Sequence, residues 1–180
     1  MLEESSQSHL WMKAMSLLNL DKYTTQKGCY VGAYLPEIFT KKVIDLAEAL
    51  GLPTPEPDDL HCTVIYSRET AIQFDRMPKL LTAINALVTS VQHWVGHNGK
   101  TYVVADVQSM ALCQLHTKMH NAGARHSFAA YRPHITLGKL DGKPSEEFEK
   151  LVEEINWSLK QEPIHVAFVG CNVSDINSDD

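Results

Sequence analysis

Apolar and polar positions alternate through Leu60-His61-Cys62-Thr63-Val64-Ile65 and again through Pro133-His134-Ile135-Thr136-Leu137-Gly138. That two-residue period, with β-branched neighbours, predicts a half-buried strand in each place. Lys27–Leu35 reads as an earlier strand, and Pro36 opens a helix that runs to Leu50 and stops at Gly51 and Pro53. The proline-rich, acidic stretch Pro53–Asp59 then forms a stiff candidate wall for a cleft. Leu80–Trp94 and Lys100–Gln108 read as long strands joined across Gly96-His97-Asn98-Gly99, because Asn-Gly between apolar runs is a strong hairpin signal.

The rest of the chain adds helices at Met110–Asn121 (ended by Gly123) and Pro144–Trp157, then a last strand over Ile164–Val173. Ser67–Lys79 is polar and carries no assignable period, and Ser174–Asp180 reads as a loose tail. Ser5–Leu20 suggests an amphipathic helix with Leu10, Met15, Leu17 and Leu18 near one face, an appendage before the first strand. It could pack on the body or on another copy of the chain, so a homo-oligomer is a candidate assembly. The order is β-α-β, a hairpin, then α-β-α-β, which is an α+β chain. Three parts follow: a helical extension over 1–26, a main domain over 27–173 and a tail over 174–180.

Each of the two alternating strands carries His-x-Thr, and the two histidines lie 134 − 61 = 73 residues apart, about half the main domain. Side chains alternate on a strand, so His61 and Thr63 share one face, as do His134 and Thr136. Side by side, the strands would bring two imidazoles and two hydroxyls into one cleft. That is an acid/base pair with hydrogen-bond donors, suited to phosphate chemistry without a metal. One such tripeptide means little in a chain with nine histidines. Two of them, each in a strand and each followed by an apolar residue, outweigh the alternative of two structural histidines.

Composition narrows the ligand. With 44% hydrophobic and 21% charged residues, 180 residues can bury one domain's core. A formal charge of −6 argues against long nucleic acid, whose binding needs many Lys and Arg, but leaves room for a small anion. Cys29, Cys62, Cys113 and Cys171 show no Cys-x-x-Cys spacing, so no zinc or redox motif is indicated. The acidic start is not a secretory signal, and no apolar run is long enough to span a membrane. A soluble, cytoplasmic protein is expected.

Leu60-His61-Cys62-Thr63-Val64 and Tyr131-Arg132-Pro133-His134-Ile135-Thr136-Leu137 resemble the two signature motifs of the 2H phosphoesterase superfamily. Lys27-Gly-Cys-Tyr-Val-Gly, His61-Cys-Thr-Val-Ile-Tyr-Ser-Arg and Gly96-His-Asn-Gly-Lys-Thr-Tyr-Val-Val-Ala-Asp are similar to its bacteriophage branch, the anti-CBASS phosphodiesterases, which degrade cyclic nucleotide messengers of a bacterial immune system. The resemblance covers nearly everything from Lys27 to Val173; the extension before it departs from the compact members. It implies a bilobal fold of two pseudo-symmetric lobes with the motif strands in a central cleft, and a reaction that needs no cofactor. His61 and His134 would be general acid and base, with Thr63 and Thr136 holding phosphate oxygens. If phage-encoded, the protein would act in the host cytoplasm on a cyclic dinucleotide or oligonucleotide.

Further residues have two readings each. Trp94, between His93 and His97, is either a structural aromatic or a base-stacking platform. Tyr30 either packs in the core or stacks on a base, and the resemblance favours contact. Glu162 matches an acidic position resembling a base-reading residue of the phage branch. Lys42 suits a phosphate contact or a solvated helix face, and His116 with His120 (i, i+4) suits a metal or a polar helix face. Two rivals to the hydrolase of cyclic oligonucleotides stay open: an enzyme for RNA ends with 2′,3′-cyclic phosphates, and a sponge that binds cyclic nucleotides without cutting them.

Overall fold

The two His-x-Thr segments are neighbouring strands of a single antiparallel sheet. The computed structural model describes residues 22–24, 28–68, 73–75, 83–96, 99–121, 124–174 and 176. Its strands are β1 (Lys22–Thr24), β2 (Cys29–Tyr34), β3 (His61–Ser67), β4 (Gln73–Asp75), β5 (Ile84–Val95), β6 (Lys100–Gln108), β7 (His134–Asp141), β8 (Ile164–Phe168) and β9 (Gly170–Ser174). Three α-helices lie among the described residues: α1 (Glu37–Ala49), α2 (Met110–Asn121) and α3 (Glu146–Gln161). Seven strands form the sheet in the order β8-β5-β6-β7-β3-β2-β9, while β1 and β4 pair separately. The protein is thus α+β and antiparallel. The helix expected over Ser5–Leu20 and the residues His97, Asn98 and Gly123 lie outside the described residues.

One expectation is overturned at the C-terminal end. Ile164–Val173 is two strands, not one: β8 pairs with β5 at one edge of the sheet, and β9 pairs with β2 at the other. Only Val169 separates them, so their adjoining ends lie within roughly 7 Å. The sheet must therefore curl until its two edges meet. Val169 N–H donates to Tyr34 O at 3.1 Å across that seam. An unbroken apolar run hides such a corner, because the linking residue is itself a valine. Within the stretch read as a helical extension, Lys22–Thr24 is a strand, and it pairs with Gln73–Asp75 from the segment that carried no period.

Helices cover the face of the sheet that carries Cys62, Val64, Ile135 and Leu137, all fully buried in one core cluster. Helix α1 buries Thr40, Val43, Leu46 and Ala47 along one stripe. It ends in a Schellman motif: Gly51 N–H bonds Glu48 O, Leu52 N–H bonds Ala47 O, and Gly51 takes φ +67°. Leu52 then packs on Gly138, where an added Cβ would meet its side chain at 3.4 Å. This contact aims the stiff Pro53–Asp59 segment along the edge of the cleft. Ser145 caps α3 by accepting from Phe148 N–H at 3.2 Å, and three glutamates follow in the first turn. The helix runs on to Gln161, past the expected end at Trp157.

Candidate active site

Strands β3 and β7 meet at one register point, Cys62 opposite Ile135. In an antiparallel pair the flanking residues then follow: His61 falls opposite Thr136, and Thr63 opposite His134. Cys62 and Ile135 point into the core, so the four polar side chains share the other face. The result is a local twofold arrangement in which each histidine stands beside the other strand's threonine.

A β-bulge follows each motif at the same place. Opposite β2 the extra residue is Val64, skipped between the pairs Gly32–Thr63 and Val31–Ile65. Opposite β6 it is Leu137, skipped between Val104–Thr136 and Val103–Gly138. A bulge shifts the alternation by one. The third residue after each threonine, Tyr66 on β3 and Lys139 on β7, therefore turns to the cleft that the tetrad lines.

That cleft encloses about 1390 Å³, beyond the ~300–1,000 Å³ usual for a drug-sized ligand. His61, Thr63, His134 and Thr136 lie in its wall with Tyr30, Trp94, Tyr102, Phe128 and Tyr131. Pro53, Pro55, Glu56 and Asp59 form its rim, as the stiff segment suggested. Tyr30 and Trp94 thus join the tetrad in one place. Tyr30 Oη lies 3.1 Å from Thr63 Oγ1, and its ring meets His61 edge-on at 5.7 Å. Tyr34 holds the other flank of His61 at 5.4 Å. The Trp94 ring stands edge-on to His134 at 4.5 Å.

The other expected contacts are placed elsewhere. Glu162 caps the C-terminus of α3 beside Trp157 and Ile155 and does not line the tetrad cleft. Lys42 lies over the Phe39 ring and donates to His165 O at 3.4 Å, fastening α1 to β8. Lys42 sits on α1 and Glu162 just past the end of α3, positions that residue type cannot reveal. His93 turns to α3, with Nε2 3.5 Å from Glu149, because it alternates with Trp94 on the strand.

His116 also departs from its solvated-face reading. Its Nδ1–H donates to Val64 O at 2.7 Å, satisfying the carbonyl of the bulge residue, and its ring stacks on Tyr131 at 4.0 Å. Tyr131 Oη reaches Cys62 Sγ at 3.9 Å, directly beneath the junction of the two motifs. Burial pushes the Cys62 thiol up to about 12, so it is inert at neutral pH. Sequence reasoning missed Tyr66, His126, Phe128 and Tyr131; the excess of aromatic residues over 126–131 was the available signal.

His134 donates from Nδ1 to Arg132 O at 2.7 Å, which leaves Nε2 for chemistry. His61 Nδ1 is buried against the Asp58–Asp59 backbone, so its Nε2 edge is the one that reaches the cleft. Burial lowers the pKa of His61; the backbone of Asp58 and the charge of Asp59 oppose this, and His134 adds to it. Burial likewise lowers His134, against the Arg132 carbonyl and the Asp106 carboxylate. Both rings therefore favour the neutral form at neutral pH. An anion seated between them would favour protonation of one.

A curled antiparallel sheet with paired histidines and threonines in an aromatic cleft defines the class, an α+β protein whose cleft is lined by titratable rings and hydroxyls. Residues 27–165 match the profile of the family described as anti-CBASS protein Acb1. The chain is 36% identical over 125 residues to the anti-CBASS protein Acb1 of Vibrio phage KVP40, covering 69% of this chain and 80% of that one. It is 28% identical to that of Escherichia phage RB16 (68% and 69% covered) and 31% identical to that of Enterobacteria phage T4 (61% and 70% covered). The chain belongs to the anti-CBASS protein Acb1 family.

Proposed function

We propose that this protein is a phosphodiesterase of the 2H type that opens 3′,5′-linked cyclic di- and oligonucleotides in the host cytoplasm and so counteracts CBASS immunity. The observation that carries this reading is the Cys62–Ile135 register, which faces His61 and His134 into one cleft beside Thr136 and Thr63. The family's relatives, named for opposing CBASS, supply the biological setting. The repeated strand-and-bulge pattern supports a bilobal arrangement with the motifs on a pseudo-twofold axis.

The attacking oxygen is the ribose 2′-OH beside the 3′-linked phosphate, an internal nucleophile with a high effective molarity. One histidine Nε2 takes the 2′-OH proton as the O2′–P bond forms. The P–O5′ bond breaks, and the other histidine gives its proton to O5′. The linear product ends in a 2′,3′-cyclic phosphate, which water opens with the two roles exchanged. The threonine hydroxyls donate to the non-bridging oxygens as charge builds there. These steps ask for a base, an acid and neutral donors, and they should proceed in EDTA.

The test is incubation with cyclic di- and trinucleotides and an RNA ending in a 2′,3′-cyclic phosphate, with products resolved by mass. Ring opening of the cyclic oligonucleotides is expected, with their 2′-deoxy analogues bound but uncut. Cleavage of the RNA end alone would make this an RNA-end phosphodiesterase, and tight binding without cleavage would make it a sponge.

A further inference from the structure

We propose that Tyr66 and Phe128 form a second nucleobase platform, at the end of the tetrad opposite the Trp94 row, so that the cleft takes two bases at once. This rests on the reading of the cleft as a cyclic-oligonucleotide site.

The paired bulges set the two ends. On β7 the third residue after the threonine is Lys139, whose Nζ lies 5.3 Å over the Tyr102 ring, and Tyr102 stands across from Trp94. On β3 the equivalent residue is Tyr66. Because β3 and β7 run antiparallel, these two positions lie beyond opposite ends of the tetrad. Tyr102 therefore stands beyond one end of the tetrad and Tyr66 beyond the other, with the Trp94 ring reaching from the Tyr102 row to His134.

Phe128 completes the second surface. Its ring is 5.7 Å from that of Tyr66, tilted by 36°, and the residue is 62% exposed in the wall of the same cleft. The loop that carries this open apolar side chain is tied to β3. Ser127 N–H donates to Tyr66 O at 2.7 Å, Tyr66 N–H to His126 Nδ1 at 3.2 Å, and Arg68 N–H to Ser127 Oγ at 3.0 Å. Past Cys62 no further residue pairs join β3 to β7, and this loop takes up β3's hydrogen bonds there. Arg68 braces Tyr66, with its guanidinium 5.5 Å from the ring and Nε 3.1 Å from the hydroxyl. Pre-organised rings suit stacking, which accepts any base because each has a π-face. The cleft volume also exceeds what one nucleotide needs.

The test compares the affinity for a 3′,5′-linked cyclic dinucleotide with that for a nucleoside 2′,3′-cyclic monophosphate, by calorimetry. His61→Ala is present throughout so that the ligands survive. Adding Phe128→Ala should weaken the dinucleotide by roughly 5- to 100-fold, the loss of one stacked base. The one-base probe should lose much less, and Phe128→Trp should restore the difference. Equal loss of both ligands, or an unchanged dinucleotide affinity, overturns the platform. So does a change in sedimentation without a change in ligand selectivity, which would make Phe128 a contact between copies. If the parent binds the dinucleotide while the wild type fails to cut it, hydrolysis is refuted and the affinity ratio still decides the platform. If the parent does not bind it, both readings fall.

Discussion

Asp106 stands directly across the β6–β7 ladder from His134, and its Oδ2 accepts 2.6 Å hydrogen bonds from Ser90 Oγ and Gln92 Nε2. Gln92 Oε1 accepts in turn from Trp94 Nε1 at 3.4 Å, so the tryptophan and the carboxylate that border His134 are tied together. The Asp106 charge favours imidazolium on His134. Asp106→Asn removes that support and lowers the His134 pKa further. One limb of the bell-shaped pH–rate profile should move to lower pH while the other stays. Movement of the basic limb identifies His134 as the acid, and of the acidic limb as the base. A profile with both limbs unmoved would refute the coupling.

The tetrad predicts a graded loss. His61→Ala or His134→Ala should each reduce turnover by about 10²–10⁴-fold, the usual worth of one acid or base. Thr63→Ala and Thr136→Ala should cost roughly 10–10³-fold, as loss of one oxyanion donor does. All four residues are only partly buried on the cleft face, so circular dichroism should show folded protein in each case. Near-normal turnover in either histidine variant would remove the mechanism.

Gly32 lies opposite Thr63, and an added Cβ would come within 3.2 Å of both the Tyr30 and Tyr34 rings. Those rings clasp His61 from two sides. Gly32→Ala gains about 0.5–1 kcal/mol from the stiffer unfolded chain, set against about 1–3 kcal/mol of overpacking. The melting temperature should therefore change by a few degrees only. Turnover should fall more, by about tenfold, because small displacements of a catalytic group are costly. Wild-type turnover would mean that the tyrosines do not position His61.

His126 accepts a hydrogen bond from Tyr66 N–H at Nδ1, which requires a neutral ring. Burial, aided by His116, His120 and His134, lowers its pKa to about 4. As pH falls below the ordinary value of about 6.5, the unfolded chain takes up a proton that the folded ring refuses. Stability is thus full above that value and declines down to about pH 4. The ring is partly solvated, so the decline is smaller than the shift alone implies. Urea midpoints should fall across this range, and His126→Gln should flatten the difference. Equal pH dependence in both proteins would contradict this.

Local sequence determined which residues could share a face. The alternation His61-Cys62-Thr63 and His134-Ile135-Thr136 is a two-residue period, and any strand made of it separates polar from apolar side chains. Helix α2, at Met110–Asn121, and the β5–β6 hairpin were legible for the same reason, since period and turn chemistry act within a few residues. The tertiary structure alone decided that Cys62 meets Ile135, because register between strands 73 residues apart depends on packing from the whole chain. It also placed the bulges at Val64 and Leu137, which brought Tyr66 and Lys139 into the cleft, and the corner at Val169, which curls the sheet. Lys42 is a polar residue on α1 and Glu162 one just past the end of α3, and only the packing of those helices against the sheet took them away from the tetrad.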